Sequence, residues 1–217
     1  MKKNISKLHY EILNENQLEA LKSLKWFKKY GVLGGGTALA LQLSHRKSFD
    51  LDIFTPKPIS KKLIYKAKSY YKNIEVLIDT EDELSFNTLF NAKISFVFYP
   101  FKNIYKTIKT PYLDIFSWKD IALDKAYTIG RRGEWRDYVD LYFIIKNGFS
   151  LFKIIKGAKR KFGDIFSEKL FLSQLVYYGD IHDFSIEYLK EKPTKEEIQK
   201  FFEKEVSKIK FDISNNF

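Results

Sequence analysis

Two aspartates separated by one residue suggest metal chemistry in the first quarter of the chain. Asp50 and Asp52 alternate with the apolar residues Phe49, Leu51 and Ile53, which predicts a strand with one apolar and one acidic face. Residues two apart on a strand are separated by about 7 Å, which suits carboxylates that share divalent cations. We therefore expect Asp50 and Asp52 to bind Mg²⁺, with Mn²⁺ as a substitute. The alternative is an acidic edge strand with two solvated aspartates.

A run of glycines comes shortly before these aspartates. Three glycines at positions 34–36 follow a short apolar strand and precede a short apolar helix. The run lacks the third glycine of a dinucleotide-binding fingerprint and the Gly-Lys-Ser/Thr of a P-loop, so a tight strand-to-helix turn is its simplest interpretation. At a helix N-terminus, however, the exposed amides of Gly35, Gly36 and Thr37 could bind phosphate. A nucleoside triphosphate would then lie between the glycine turn and the metal-binding aspartates.

The elements around these residues predict an α+β fold. Helical and strand patterns alternate through the first half of the chain, and helical periods dominate from residue 117 onward. We expect a mixed β-sheet flanked by helices, in a domain at 1–116, followed by a helical domain at 117–217. The predicted strands lie at residues 32–33, 49–53, 74–78, 84–90 and 93–99, and Asn16 with Glu19 is predicted to cap the first helix.

Composition narrows the classes of function. The 38 Lys and Arg residues against 27 Asp and Glu give a net charge of +11, which favours a nucleic-acid or polyphosphate partner, although a biased composition could also produce it. The absence of cysteine excludes disulfides, thiolate zinc sites and thiol nucleophiles. Because no apolar run has the length of a signal peptide or a membrane span, we expect a cytoplasmic protein without membrane contact.

Three segments together resemble a known family. They are GGTALAL, HRKSFDLDIF and DKAYTIGRRGEWRDYVDLYFI. Their sequences and order are similar to those of the AbiEii/AbiGii-type nucleotidyltransferase toxins of the DNA polymerase β superfamily. The resemblance implies a minimal nucleotidyltransferase core followed by a helical domain. It also implies a nucleoside triphosphate donor, magnesium, transfer of nucleotides to the 3′ end of tRNA in some members, and an antitoxin partner in a phage-defence system.

The resemblance also implies roles for individual residues. Asp50 and Asp52 would bind the metals, and Lys125, Asp137 and Asp140 would complete the catalytic set. The residues implied to bind the nucleotide are Gly35, Gly36, Thr37, Arg46 and Ser48. Lys125 would stabilise the charge that develops on the phosphates in the transition state.

One position departs from the superfamily pattern. A third carboxylate often lies on a later strand, where it helps to deprotonate the attacking hydroxyl, but Ser95 occupies the expected position here. Glu75, Asp137 or Asp140 could take the role of the base instead.

Several alternatives remain open from the sequence. The acceptor could be a protein, or the chain could be a non-catalytic, basic RNA-binding module with a degenerate site. Lys125, Asp137 and Asp140 could form a structural salt-bridge network together with Arg136. Arg131, Arg132 and Arg136, interleaved with Trp135 and Tyr138, could contact RNA, although the two aromatic residues could equally be core residues.

Overall fold

The computed structural model describes residues 7–89 and 91–214, and side chains as far as Ile209. The chain divides into two compact units, of which the N-terminal unit ends at Ser117 and the C-terminal unit begins at Trp118. The predicted strand at 84–90 ends at Phe90, which lies outside the described residues. Among the described residues, no helix is both long and apolar enough to cross a membrane.

The N-terminal unit is built on a mixed five-stranded sheet. Its helices and strands in chain order are α1 (Glu15–Ser23), β1 (Val32–Gly34), α2 (Gly35–Leu43), β2 (Leu51–Thr55), α3 (Lys61–Tyr71), β3 (Glu75–Asp79), β4 (Glu83–Asn87) and β5 (Lys93–Phe98). The strands lie in the order β1-β2-β5-β4-β3. Strands β2 and β5 pair in parallel, whereas the other neighbours are antiparallel.

One face of this sheet forms the hydrophobic core of the unit. The side chains of Leu51 and Ile53 on β2 are fully buried, as are their counterparts on the neighbouring strands, Leu84, Phe86, Ile94 and Phe96. Phe27 packs against Phe96 from the 3₁₀ turn after α1, and Tyr71 packs against Phe86 from the end of α3. Because strand side chains alternate between faces, the intervening polar residues of β2, β4 and β5 share the opposite face. We call it the polar face.

The regular secondary structure in the described part of the C-terminal unit is helical. The helices are α4 (Trp118–Ile129), α5 (Trp135–Lys146), α6 (Leu151–Phe162), α7 (Glu168–Gln174) and α8 (Lys195–Ser214). Thr194 caps α8, since its hydroxyl accepts from the amide of Glu197 (3.1 Å) while the Glu197 carboxylate accepts from the amide of Thr194 (2.7 Å). Between α7 and α8 the chain runs largely without helix, which the helical periodicity did not predict.

The predicted α+β class is confirmed, with a mixed sheet flanked by helices and followed by helices. Two local predictions were wrong. The N-cap of the first helix is Asn14, which forms a capping box with Gln17, rather than Asn16 with Glu19. Strand β2 begins at Leu51, so Phe49 and Asp50 precede it, and Phe49 is exposed.

Candidate active site

Asp52 lies in the middle of a polar row that crosses the sheet. Its backbone partners are Gly34 on the antiparallel strand β1 and Ser95 on the parallel strand β5, and Ser95 is paired in turn with Ser85 on β4. Paired residues project from the same face of a sheet, so Asp52, Ser95 and Ser85 are neighbours on the polar face. The register therefore fixes the Asp52 carboxylate beside the end of β1, where the glycine turn begins.

The glycine turn contacts Asp52 closely. Gly34 is the N-cap of α2, and Gly35 has a φ of +66°, a left-handed conformation that favours glycine. A Cβ atom at Gly35 would collide with Asp52 Oδ2. The first-turn amides of a helix have no acceptor within the helix, so the start of α2 offers donors to an anion next to a carboxylate.

Arg46 and Ser48 lie against Gly36 in the same turn. A Cβ atom at Gly36 would be 2.8 Å from both Arg46 Nη2 and Ser48 Oγ. The Arg46 side chain is buried, and its Nη1 donates to the carbonyl oxygen of Lys47 (2.8 Å). A guanidinium and a hydroxyl are thus held against the helix N-terminus, where both could donate to a phosphate.

Asp50 is positioned through its backbone. The hydroxyl of Thr37 donates to the carbonyl oxygen of Asp50 (2.5 Å), so the Thr37 side chain holds the backbone just before β2. The Asp50 carboxylate is 41% exposed and forms a long ion pair with Lys93, whose Nζ lies 4.0 Å from Oδ2.

Gln17 supports the same segment from α1, a role that the sequence did not reveal. Its Nε2 donates to the carbonyl oxygens of Ser48 (2.7 Å) and Phe49 (3.2 Å). Its Oε1 accepts from the amide of Asn14 in the capping box (3.2 Å). The Asn-x-x-Gln capping pattern was visible in the sequence, but the contact with a segment 31 residues away was not.

The donor set of this site fits magnesium. Asp50 and Asp52 offer hard carboxylate oxygens, whereas no group of three or more His, Cys, Asp or Glu side chains that could hold a metal ion occurs within the described parts of the chain. Mg²⁺ commonly binds one or two protein carboxylates and takes its remaining ligands from water and substrate phosphates. Asp50 and Asp52, which lie beside the first-turn amides of α2, offer the two carboxylates that this mode of binding needs.

The remaining predicted site residues form a cluster within the C-terminal unit. Lys125 on α4 forms ion pairs with two carboxylates of α5, Asp137 and Asp140, the latter at 2.8 Å. Both aspartates are fully buried, and the Lys125 side chain is 9% exposed. Arg132 lies 3.3 Å from Asp137, whereas Arg136 pairs with Glu134 (3.1 Å) instead of joining the cluster.

The aromatic residues near this cluster belong to the core of the C-terminal unit. Trp135 and Tyr138 are buried, and their rings stack on each other with centroids 5.7 Å apart. The Tyr138 hydroxyl donates to the carbonyl oxygen of Gln174 (2.9 Å). Neither ring is available to stack on an RNA base, so the core interpretation of these two residues holds.

Comparisons with known proteins agree with this fold. Residues 18–215 match the family described as nucleotidyl transferase AbiEii toxin of type IV toxin–antitoxin systems. An uncharacterized protein of Aquifex aeolicus is 34% identical over 179 residues, which cover 80% of this chain and 85% of the relative.

Two solved structures share the architecture. MenT4, a nucleotidyltransferase toxin from Mycobacterium tuberculosis H37Rv, gives a TM-score of 0.58 at 15% identity, over 89% of this chain and 84% of the toxin. A proposed nucleotidyltransferase from Helicobacter pylori gives a TM-score of 0.56 at 22% identity, over 94% of this chain and 99% of the other. At these identities the likeness establishes the fold.

The fold and the family match together define the class of the protein as a nucleotidyltransferase. The chain belongs to the AbiEii family of nucleotidyltransferase toxins, and the resemblance predicted from the three segments is confirmed. The prediction that the protein is an enzyme is confirmed with it.

Proposed function

We propose that this enzyme transfers a nucleoside monophosphate from a nucleoside triphosphate to a hydroxyl of RNA, with the 3′ end of tRNA as the acceptor. The acceptor oxygen would attack the α-phosphorus, the bond between the α-phosphorus and the bridging oxygen would break, and pyrophosphate would leave. The observation that carries the proposal is the contact between the Asp52 carboxylate and the Gly35 turn at the start of α2. The contact supports the proposal because a metal-bound triphosphate needs a carboxylate for the cation close to backbone amides for the phosphates.

Different residues of the N-terminal unit would bind the metal and the phosphates of the substrate. Asp50 and Asp52 would hold Mg²⁺, or Mn²⁺ in its place, and the ion would polarise the phosphates when bound. The amides of Gly35, Gly36 and Thr37 would bind phosphate oxygens. Arg46 and Ser48, which lie against Gly36, would donate to the same phosphates.

Lys125 would supply positive charge for the phosphates, and Asp137 and Asp140 would fix the position of its ammonium group. The ion pairs of Lys125 with both carboxylates support that assignment, because they restrict a side chain that is otherwise flexible. We propose that the nucleotidyltransferase domain covers residues 1–116 and the helical domain residues 117–217.

The net charge of +11 supports RNA as the acceptor, since a polyanion is attracted to a cationic surface. Membership of a toxin family supports an antitoxin protein as a partner and a role in phage defence. We further propose that the enzyme acts in the cytoplasm, where its triphosphate and tRNA substrates are found.

The test is incubation of the purified protein with total tRNA, Mg²⁺ and each labelled nucleoside triphosphate in turn. We expect label in tRNA, its loss on chelation of the metal, and a decrease of about a hundredfold or more in Asp52→Asn. Asp79→Asn, which changes an exposed carboxylate on β3, is the matched control and should transfer at the wild-type rate. Label on protein instead of RNA would support protein nucleotidylation. Equal transfer by Asp52→Asn and the wild type would overturn the proposed site.

A further inference from the structure

A hydrogen-bonded chain on the polar face runs from the neighbour of Asp52 to a carboxylate on β4. Ser95 is the β5 partner of Asp52, and Ser85 is the β4 partner of Ser95. Their hydroxyl oxygens are 2.7 Å apart. The Ser85 hydroxyl also bonds with Oε1 of Glu83, two residues earlier on the same face of β4. The chain therefore connects Glu83 to the strand position beside the candidate metal ligand.

The chemistry of these groups fixes the direction of the chain. The Ser85 hydroxyl takes part in both bonds but carries one hydrogen, and an ionised carboxylate can only accept. Ser85 therefore donates to Glu83 and accepts from Ser95. In this arrangement the hydrogen of Ser95 points along the chain, and its oxygen retains a lone pair that can accept one further hydrogen bond.

We propose that Glu83 takes up the proton of the acceptor hydroxyl through Ser95 and Ser85. This inference rests on the proposed nucleotidyl transfer. As the acceptor oxygen bonds to the α-phosphorus, its proton passes to Ser95, the Ser95 proton passes to Ser85, and the Ser85 proton passes to Glu83. Pyrophosphate leaves with the electron pair of the broken phosphorus–oxygen bond. Glu83 ends as a neutral carboxylic acid and returns its proton to solvent before the next cycle.

Burial supports a path of this kind. Ser85 and Ser95 are 0% and 3% exposed, so bulk water does not compete for the two hydroxyls. The Glu83 side chain belongs to a partly exposed residue, which gives the far end of the chain an exit to solvent. The backbone amide of Glu83 donates to the Thr80 hydroxyl (3.0 Å), which fixes the start of β4.

The chain also accounts for the serine at the position where a third carboxylate was expected. Two hydroxyls connect that position to a carboxylate on the next strand, so the base lies farther away but remains connected. Of the candidate bases from the sequence, Glu75 accepts from Asn87 Nδ2 (2.9 Å) on the edge strand β3. Asp137 and Asp140 form ion pairs with Lys125.

The test compares Glu83→Gln with Glu81→Gln, an identical change at an exposed position two residues away. The readout is the single-turnover rate at saturating triphosphate, together with the triphosphate concentration that gives half that rate. We expect Glu83→Gln to lower the rate about a hundredfold, the usual scale of general-base catalysis, and to leave the half-saturating concentration and the melting temperature unchanged. Glu81→Gln should match the wild type in all three.

A double-mutant cycle separates proton transfer from a merely structural role of the serines. Ser85→Ala interrupts the chain, so it should slow the reaction as Glu83→Gln does, and the double variant should be no slower than either single variant. The relay would be overturned if the losses of the two single variants multiplied in the double variant. It would also be overturned if Glu83→Gln kept the wild-type rate, or if Glu75→Gln slowed the reaction to a comparable extent.

Asp52→Asn in the same assay distinguishes the two proposals. If Asp52→Asn abolishes transfer while Glu83→Gln retains it, the relay is wrong and the proposed function stands. If the wild type does not label RNA, the proposed function fails and the relay fails with it. If Asp52→Asn is fully active, the proposed site at Asp52 is wrong, and the relay that ends beside it is wrong as well.

Discussion

The charged side chains of the two units are held in different ways. Contacts in the N-terminal unit bind the backbone next to the carboxylate, whereas contacts in the C-terminal unit join the charged groups to each other. In the N-terminal unit, Thr37 and Gln17 bind the backbone around Asp50, whose carboxylate is 41% exposed. In the C-terminal unit, Lys125 and Asp137 bind each other directly and are almost completely buried. The first arrangement fixes the backbone and leaves the carboxylate half-exposed, with a long, solvent-screened ion pair to Lys93. The second satisfies buried charges with one another, so its loss should affect folding as well as chemistry.

The C-terminal unit offers an internal reference for this comparison. The side chain of Lys161 on α6 is fully buried, and its Nζ lies 2.6 Å from Asp124 and 3.3 Å from Asp120 on α4. It resembles Lys125 in burial and in having two aspartate partners, but no motif assigns it a catalytic role. A pair of matched substitutions can therefore separate the structural value of a buried lysine from its catalytic value.

The largest expected effect is that of Lys125→Met on stability. Removal of the ammonium leaves two buried carboxylates without this partner, which costs about 3–5 kcal/mol of unfolding free energy. Lys161→Met should cost a similar amount, measured by urea denaturation. At a temperature at which both variants remain folded, we expect only Lys125→Met to lose nucleotidyl transfer. Equal activity of the two folded variants would show that Lys125 is purely structural.

Asp50→Ala should lower the activity strongly and the stability only slightly. We expect transfer to decrease about a hundredfold or more, equivalent to about 2.7 kcal/mol of activation free energy, because the substitution removes a carboxylate that we propose as a metal ligand. Stability should change by less than about 0.5 kcal/mol, since the substitution removes an exposed side chain and leaves the Thr37 bond to the Asp50 carbonyl. Paired urea denaturation and transfer assays measure both quantities. A large decrease in stability would contradict the distinction between the two units.

Local spacing was sufficient to predict that the glycine turn and the aspartate strand are neighbours. Gly35 and Asp52 are 17 residues apart, and a helix, a loop and a strand in that order bring them into contact. The alternation of β2 was also sufficient to assign its buried face. Both features depend on short-range patterns, which a single sequence displays directly.

The supporting contacts could not be predicted because they depend on packing between distant segments. The bonds from Gln17 to Ser48 and Phe49 require the position of α1 against the loop before β2. The bond between Ser85 and Ser95 depends on the register of β4 and β5. The sequence left open a network of Lys125 with Arg136, but Arg136 pairs with its near neighbour Glu134, a choice between rotamers that spacing does not decide.

Gly35→Ala tests the position of the Asp52 carboxylate by changing a neighbouring residue rather than Asp52 itself. The new methyl group would displace the Asp52 carboxylate, and the positive φ adds strain, so we expect about a tenfold loss of transfer and about 1 kcal/mol of stability. Gly163→Ala is the matched control, because Gly163 has a similar φ of +58° with nothing within 4 Å of an added Cβ. It should lose comparable stability and no activity. Equal activity losses would contradict a role for the Asp52 contact.

Gln17→Ala tests whether positioning from α1 matters for the acidic segment. Loss of the two bonds to the Ser48 and Phe49 carbonyls should lower transfer about threefold to fivefold and stability by about 1 kcal/mol. Asn14→Ala removes the helix cap, also worth about 1 kcal/mol, but keeps the Gln17 side chain. Kinetic and denaturation measurements on both variants should therefore show similar stability and different activity. If Asn14→Ala were equally slow, the effect would belong to α1 as a whole.

The smallest expected effect is a pH dependence of stability that comes from Asp114. This residue lies beside β1, because the backbone amide of Leu33 donates to the carbonyl oxygen of Asp114 (2.8 Å). Burial acts to raise the pKa of Asp114, but hydrogen bonds from Lys109 and Lys28 outweigh it and hold the pKa below its ordinary value of 3.8. The folded state therefore favours the ionised carboxylate. Its contribution to stability is complete above about pH 4 and is lost as the pH falls through the lower, folded-state pKa.

Asp114→Asn should accordingly destabilise the protein at pH 7 by less than about 1 kcal/mol, since Lys109 is exposed and the ion pairs are screened by solvent. The difference in unfolding free energy between wild type and Asp114→Asn should shrink as the pH is lowered from 5 toward 2. Urea denaturation across that range measures it. A constant difference would mean that the Asp114 side chain acts through packing, and that its charge contributes nothing beside β1.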